Sequence, residues 1–165
     1  MLLRLTLASV LALGLSLAAR AQTSLAALVE EANYGWMFGQ WKATTDSGAA
    51  ITLKVSWDLD RKMAVLHITT DDMESKGYTV LAPGAENPTY FAADNRGSVS
   101  RGDWNYEGGD LVLRLETSRP DESPMKWAAV FTGSPSAGLE VRMHGLESWG
   151  GLSYPARWSM KFKKS

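Results

Sequence analysis

From Trp36 to the C-terminus, apolar and polar residues alternate in short runs divided by turn residues, the period of strands with one dry and one wet face. Ile51, Leu53, Val55 and Trp57 alternate with Thr52, Lys54 and Ser56. Leu111, Leu113 and Leu115 alternate with Val112, Arg114 and Glu116. Met125, Trp127, Ala129 and Phe131 form a stripe against Lys126, Ala128 and Val130, and Leu139, Val141 and Met143 one against Glu140, Arg142 and His144. The last strand sets Trp158, Met160 and Phe162 opposite Arg157, Ser159, Lys161 and Lys163. Between Met63 and Thr70 both faces are apolar, with Ala64, Leu66 and Ile68 on one and Met63, Val65 and His67 on the other.

The runs are punctuated at Asp46-Ser47-Gly48, Asp58 to Arg61, Pro83-Gly84, Asp94 to Gly97, Glu107-Gly108-Gly109, Ser134-Pro135-Ser136 and Trp149-Gly150-Gly151. Gly and Asn tolerate positive φ, and Asp and Ser bond to their own backbone, so each cluster reverses the chain. No crossover helix fits in so little space, which predicts hairpin-linked antiparallel neighbours. A β-sandwich also satisfies that spacing. Uninterrupted local hairpins and the removal of bare sheet edges favour closure. The expected fold class is all-β, an antiparallel up-and-down β-barrel of about eight to ten strands with a short N-terminal helix. That helix is expected from Leu25, Leu28, Val29 and Ala32 at helical spacing, with Thr23 or Ser24 as cap and Gly35 as stop, packed on the sheet or closing its mouth.

Residues 1–21 read as a signal peptide, with Arg4 in the n-region, an apolar run from Leu5 to Ala18, and Ala19-Arg20-Ala21 as the cleavage site. The run is shorter than the roughly 20 residues of a membrane span. The domain expected after cleavage covers residues 22–165, periplasmic or secreted, with no membrane span. With no Cys, it has no lipid-modified cysteine, disulfide framework or thiolate metal site. Cleavage removes Arg4 and Arg20, so 17 basic residues become 15 against 18 acidic ones, a formal net charge of −3 that argues against nucleic-acid binding. Seven Trp among 16 aromatics are many for such a chain, and large aromatics dominate cores and pockets.

The run Trp36-Met37-Phe38-Gly39-Gln40-Trp41-Lys42, a helix followed by Gly-x-Trp at the first strand, resembles the start of calycin and lipocalin-like barrels. Trp57-Asp58, Asp94-Asn95-Arg96-Gly97 and Gly102-Asp103-Trp104 resemble landmarks of a bacterial lipocalin-like family of unknown function. The resemblance spans about Trp36 to Trp104. It implies a barrel with an interior ligand site, and carries over Gly39 and Trp41 as barrel-closing residues with Arg157 or Lys161 as the basic partner over the Trp ring. Alternation puts Arg157 and Lys161 on the face opposite Trp158, so that stacking requires a bulge or turn. Related haem-binding barrels use a His near the C-terminus; none follows His144, and no cofactor is expected.

His67 and His144 are the only histidines, too few for a metal centre of three or four convergent ligands. His67 reads as a packed residue and His144 as an outward polar one. Asp71, Asp72 and Glu74 read as a solvated turn. No Gly-x-Ser-x-Gly elbow or phosphate loop occurs. The inward Trp and Met stripe is the stronger feature, because Met adapts to irregular shapes and Trp offers a broad face with one donor. The expected function is to bind a small apolar or amphipathic molecule inside the barrel, lined by Trp57, Trp127, Met143 and Trp158, with His67 or Tyr90 as polar contact. Two alternatives stand beside it: a filled barrel docking an envelope protein through an apolar outer face, and a hydrolase or isomerase using His67 and a carboxylate. Period two assigns faces and says nothing of empty volume, so filled and hollow barrels both satisfy the pattern.

Overall fold

The computed structural model describes residues 23–165, and the leader expected over residues 1–21 lies outside them. Helix α1 (Leu25–Glu31) and a single 3₁₀ turn (Gly35–Met37) precede ten strands. These are β1 (Gly39–Thr44), β2 (Ala50–Asp58), β3 (Met63–Thr69), β4 (Glu74–Val80), β5 (Thr89–Asp94), β6 (Val99–Glu107), β7 (Asp110–Ser118), β8 (Met125–Ser134), β9 (Gly138–Gly145) and β10 (Trp158–Lys164). Each strand pairs antiparallel with its neighbour in the chain, and β10 returns to β1 to close the barrel. The closing seam is short, with Trp41 opposite Lys164 and Lys42 opposite Lys163.

The alternating stripes decide which face is inside. Leu53, Val55, Leu66, Leu113, Leu115, Phe131, Leu139, Met160 and Phe162 are all buried in one cluster with Trp41 and Trp104. Full burial of such a side chain contributes about 1.5–3 kcal/mol, so this shared interior is the main source of stability. Trp104 sits at its middle, edge-on to Tyr90 at 6.2 Å and tilted against Phe131 at 5.2 Å. Small residues make room for the large ones: a Cβ on Gly77 would lie 2.0 Å from the Tyr90 hydroxyl.

One end of the barrel carries α1, the β2–β3, β6–β7 and β8–β9 hairpins, and the loop over residues 81–88. Ser24 caps α1 by accepting from the Ala27 amide at 3.1 Å, and Val29 and Ala32 pack onto the barrel core. Arg61 of the β2–β3 hairpin pairs with Glu30 of the helix and lies 5.4 Å from the Trp57 ring centre. Tyr34 ties the segment after the helix to the same end, its hydroxyl within 3.2 Å of the Gly109 carbonyl and 3.3 Å of the Phe131 carbonyl. The helix is thereby held over the opening.

The far end carries the remaining loops, of which residues 146–157 form a long strap folded along the outside. Leu146 and Leu152 cover Val112, Ala128 and Val130, a second apolar cluster on the outer face of β7 and β8. His144 faces outward as its strand period requires, yet it is only 2% exposed. Its Nδ1 lies 3.0 Å from the Ser153 carbonyl, and Tyr154 packs edge-on at 5.0 Å. Because a carbonyl only accepts, Nδ1 carries the proton there. The strap makes an outward residue a buried one.

Candidate functional site

Gly39 and Trp41 open β1 at the helix-bearing end. The Trp41 ring is 1% exposed, its Nε1 donates to the Met37 carbonyl at 2.7 Å, and Trp36 packs on it edge-on at 5.7 Å. The basic group over the ring is Lys164, whose Nζ lies 5.3 Å from the ring centre and donates to the Trp36 carbonyl at 3.2 Å. Arg157 does not take that position: it precedes β10 at the opposite end, its backbone amide bonded to the Met143 carbonyl and its guanidinium beside Gly145. Lys161 is also elsewhere, paired across the β9–β10 ladder with Glu140. Neither a bulge nor a strand turn is needed, because a later residue of β10 supplies the cation.

Between α1 and the barrel interior lies a cavity of about 270 Å³. Leu25, Leu28, Val29 and Ala32 form its roof, and Val55, Ala64, Leu66, Trp104 and Leu111 its walls, with Tyr34, Met37 and Phe38 on the side of the connecting segment. Its volume lies just below the roughly 300–1,000 Å³ usual for small-molecule pockets. Polar groups are few. Thr79 stands on the wall and accepts from Trp104 Nε1 at 2.9 Å, while Glu86, Asn87, Asn105 and Tyr106 line the outer part. Glu86 and Asn87 are exposed and Tyr106 is 59% exposed, which marks this side as the mouth.

None of the six residues expected to contact a ligand lines this cavity. Trp57 lies one layer away, stacked at 4.2 Å on Phe38, which does line it. Tyr90 lies behind Trp104. Trp127 and Met143 pack on the interior cluster near the far end, where Trp127 Nε1 donates to Thr117 Oγ1 at 2.8 Å, while Trp158 at the start of β10 is 42% exposed and does not join that cluster. His67 is on the outer face, its Nε2 2.8 Å from Glu74 Oε1. The histidine–carboxylate pair that an enzymatic reading requires inside the barrel therefore lies outside it. Asp72 pairs with Arg96 in the adjoining solvated loop. The residues missed by sequence reasoning are Trp104, Phe38 and Tyr34; the helix stripe of Leu25, Leu28, Val29 and Ala32 was the signal that pointed to this end.

Burial pushes the Tyr90 phenol up to about 12 from an ordinary value of 10.0. The unfolded chain therefore releases this proton first, so the stabilisation is whole below about pH 10 and is lost as the pH rises through about 12. The gap corresponds to at most about 2.7 kcal/mol. Tyr90→Phe is expected to remove this share of the alkaline decline, measured as the change in urea midpoint between about pH 9 and pH 11.5 in the two proteins. Equal declines would show that the phenol is not held in a dry environment.

No family model matches the chain. No curated protein matches it either. The closed ten-strand antiparallel barrel is compatible with a calycin-like fold.

Proposed function

We propose that this is an exported lipocalin-like barrel that holds a small apolar or amphipathic molecule beneath helix α1. The observation that carries the reading is the apolar cavity of about 270 Å³ between the helix and the barrel wall, with its polar groups gathered at one side. A ligand burying roughly 200 Å² of apolar surface there gains about 5 kcal/mol. Ordering costs reduce that figure, which places dissociation constants at about 0.2 mM or weaker. The volume suits a single ring system or a chain of medium length.

Titration of the mature protein with straight-chain and aromatic probes, followed by tryptophan fluorescence, tests the reading because Trp104 lines the cavity. A saturable change is expected with at least one probe class. Ala64→Leu adds apolar volume to a wall position, and is expected to weaken binding about tenfold while leaving the thermal midpoint unchanged or raised, since the added methyl groups enter empty space. Binding unchanged by Ala64→Leu would place the ligand elsewhere. The rival reading, a filled barrel docking an envelope protein, has in its favour the exposed Tyr78, Val80 and Phe91 on the outer face beside Met63 and Val65. The same titration separates the two: a filled barrel gives no saturable signal across the panel.

A further inference from the structure

The charge distribution at the cavity names the class of molecule it takes, an inference that rests on the reading of the cavity as a ligand site. Its lining contains one ionisable carboxylate, Glu86, and no basic side chain. Two cations at this end of the barrel are committed elsewhere, Arg61 to Glu30 and the Trp57 face and Lys164 to the Trp36 carbonyl and the Trp41 face, and Lys62 of the exposed β2–β3 turn is not part of the lining. Glu86 itself has no ion-pair partner among the described residues.

The donors in the outer part are the amides of Asn87 and Asn105 and the Tyr106 hydroxyl. The Tyr34 hydroxyl proton is directed to the Gly109 and Phe131 carbonyls. A carboxylate or phosphate head at this mouth would meet Glu86 and lose hydration without a cation to replace it. A cation meets the opposite situation. Glu86 supplies the countercharge, and the exposed ring of Tyr106, edge-on to Tyr34 at 6.2 Å, supplies an aromatic face of the kind that attracts alkylated ammonium groups. Carboxylate and aromatic ring line the same cavity whose inner part is apolar.

We propose that the ligand is an amphiphile with a cationic ammonium head, held at the mouth by Glu86 and Tyr106, with its hydrocarbon part beneath α1.

The test is calorimetric titration of the mature protein at pH 7 with three probes of equal chain length: decyltrimethylammonium, decanol and decanoate. The cation is expected to bind about fivefold more tightly than the alcohol, as for an exposed ion pair, with decanoate the weakest of the three. Glu86→Gln, in an exposed loop where the fold does not depend on it, is expected to erase the cation's advantage. Equal affinity of the cation and decanoate, or an advantage that survives Glu86→Gln, overturns the headgroup assignment while binding of decanol keeps the cavity itself. Absence of saturable heat with all three probes overturns both.

Discussion

Replacing Trp41 by Ala is expected to destabilise the barrel by about 4 kcal/mol, the range for large aromatics removed from a packed core. Three separate interactions converge on this ring. It is 1% exposed, donates to the Met37 carbonyl at 2.7 Å, and lies between Trp36 and the Lys164 ammonium. Truncation leaves a void and also strips a carbonyl of its partner at the point where the 3₁₀ turn enters β1. For a domain of this size the loss corresponds to a fall in thermal midpoint of about 10 °C. Trp41→Phe keeps most of the apolar contact and loses the N–H, so a cost of about 1–2 kcal/mol is expected. Lys164→Met, which removes only the cation, is expected to cost about 0.5–1 kcal/mol. Urea unfolding followed by far-ultraviolet circular dichroism ranks the three. A Trp41→Ala protein within about 1 kcal/mol of the parent would contradict the central role of the ring.

Gly102→Ala is expected to be at least as damaging, for a different reason. A Cβ at Gly102 would stand 1.7 Å from the Arg114 carbonyl oxygen and 3.1 Å from the Leu115 Cα. No side chain is available to rotate away; β6 and β7 must separate. Their ladder runs from Val99 opposite Ser118 to Glu107 opposite Asp110, so a local parting disturbs a long row of hydrogen bonds. A loss of about 3 kcal/mol or more, or a collapse in soluble yield, is expected. The informative comparison is Gly108→Ala in the adjoining turn, where nothing lies within 4 Å and the only strain is a φ of 60°. There the cost is about 1 kcal/mol. If the two substitutions cost the same, backbone conformation rather than steric contact governs Gly102.

The barrel was legible in the chain because its determinants are local. Period-two stripes and turn clusters such as Asp94 to Gly97 specify hairpins, and hairpins in series specify neighbours. The apolar helix stripe likewise pointed to a cover over one end. The candidate site was less legible because alternation gives the face of a residue and not its depth along the barrel. Trp127, Met143 and Trp158 satisfy the inward pattern and sit near the far end, while Trp104, inward by the same rule, reaches the cavity. The position of Lys164 follows from the stagger of β10 against β1, a long-range register that no local spacing records. The strap did leave a trace. Val112, Ala128 and Val130 are apolar at outward positions, and Val112 lies opposite Val130 across the β7–β8 ladder, as an outer face that must be covered requires.

Nine of the ten seams join strands consecutive in sequence, and only the seam between β1 and β10 spans the length of the sheet. Loop-closure entropy rises slowly with length, so bringing these two strands together across about 120 residues is the single non-local event in forming the sheet. The contact order of the whole sheet is correspondingly low, and its assembly is a progression of neighbouring hairpins finished by one ring closure. Where that ring parts, the molecule becomes a twisted ribbon with two bare edges, each a template for strand addition by another chain.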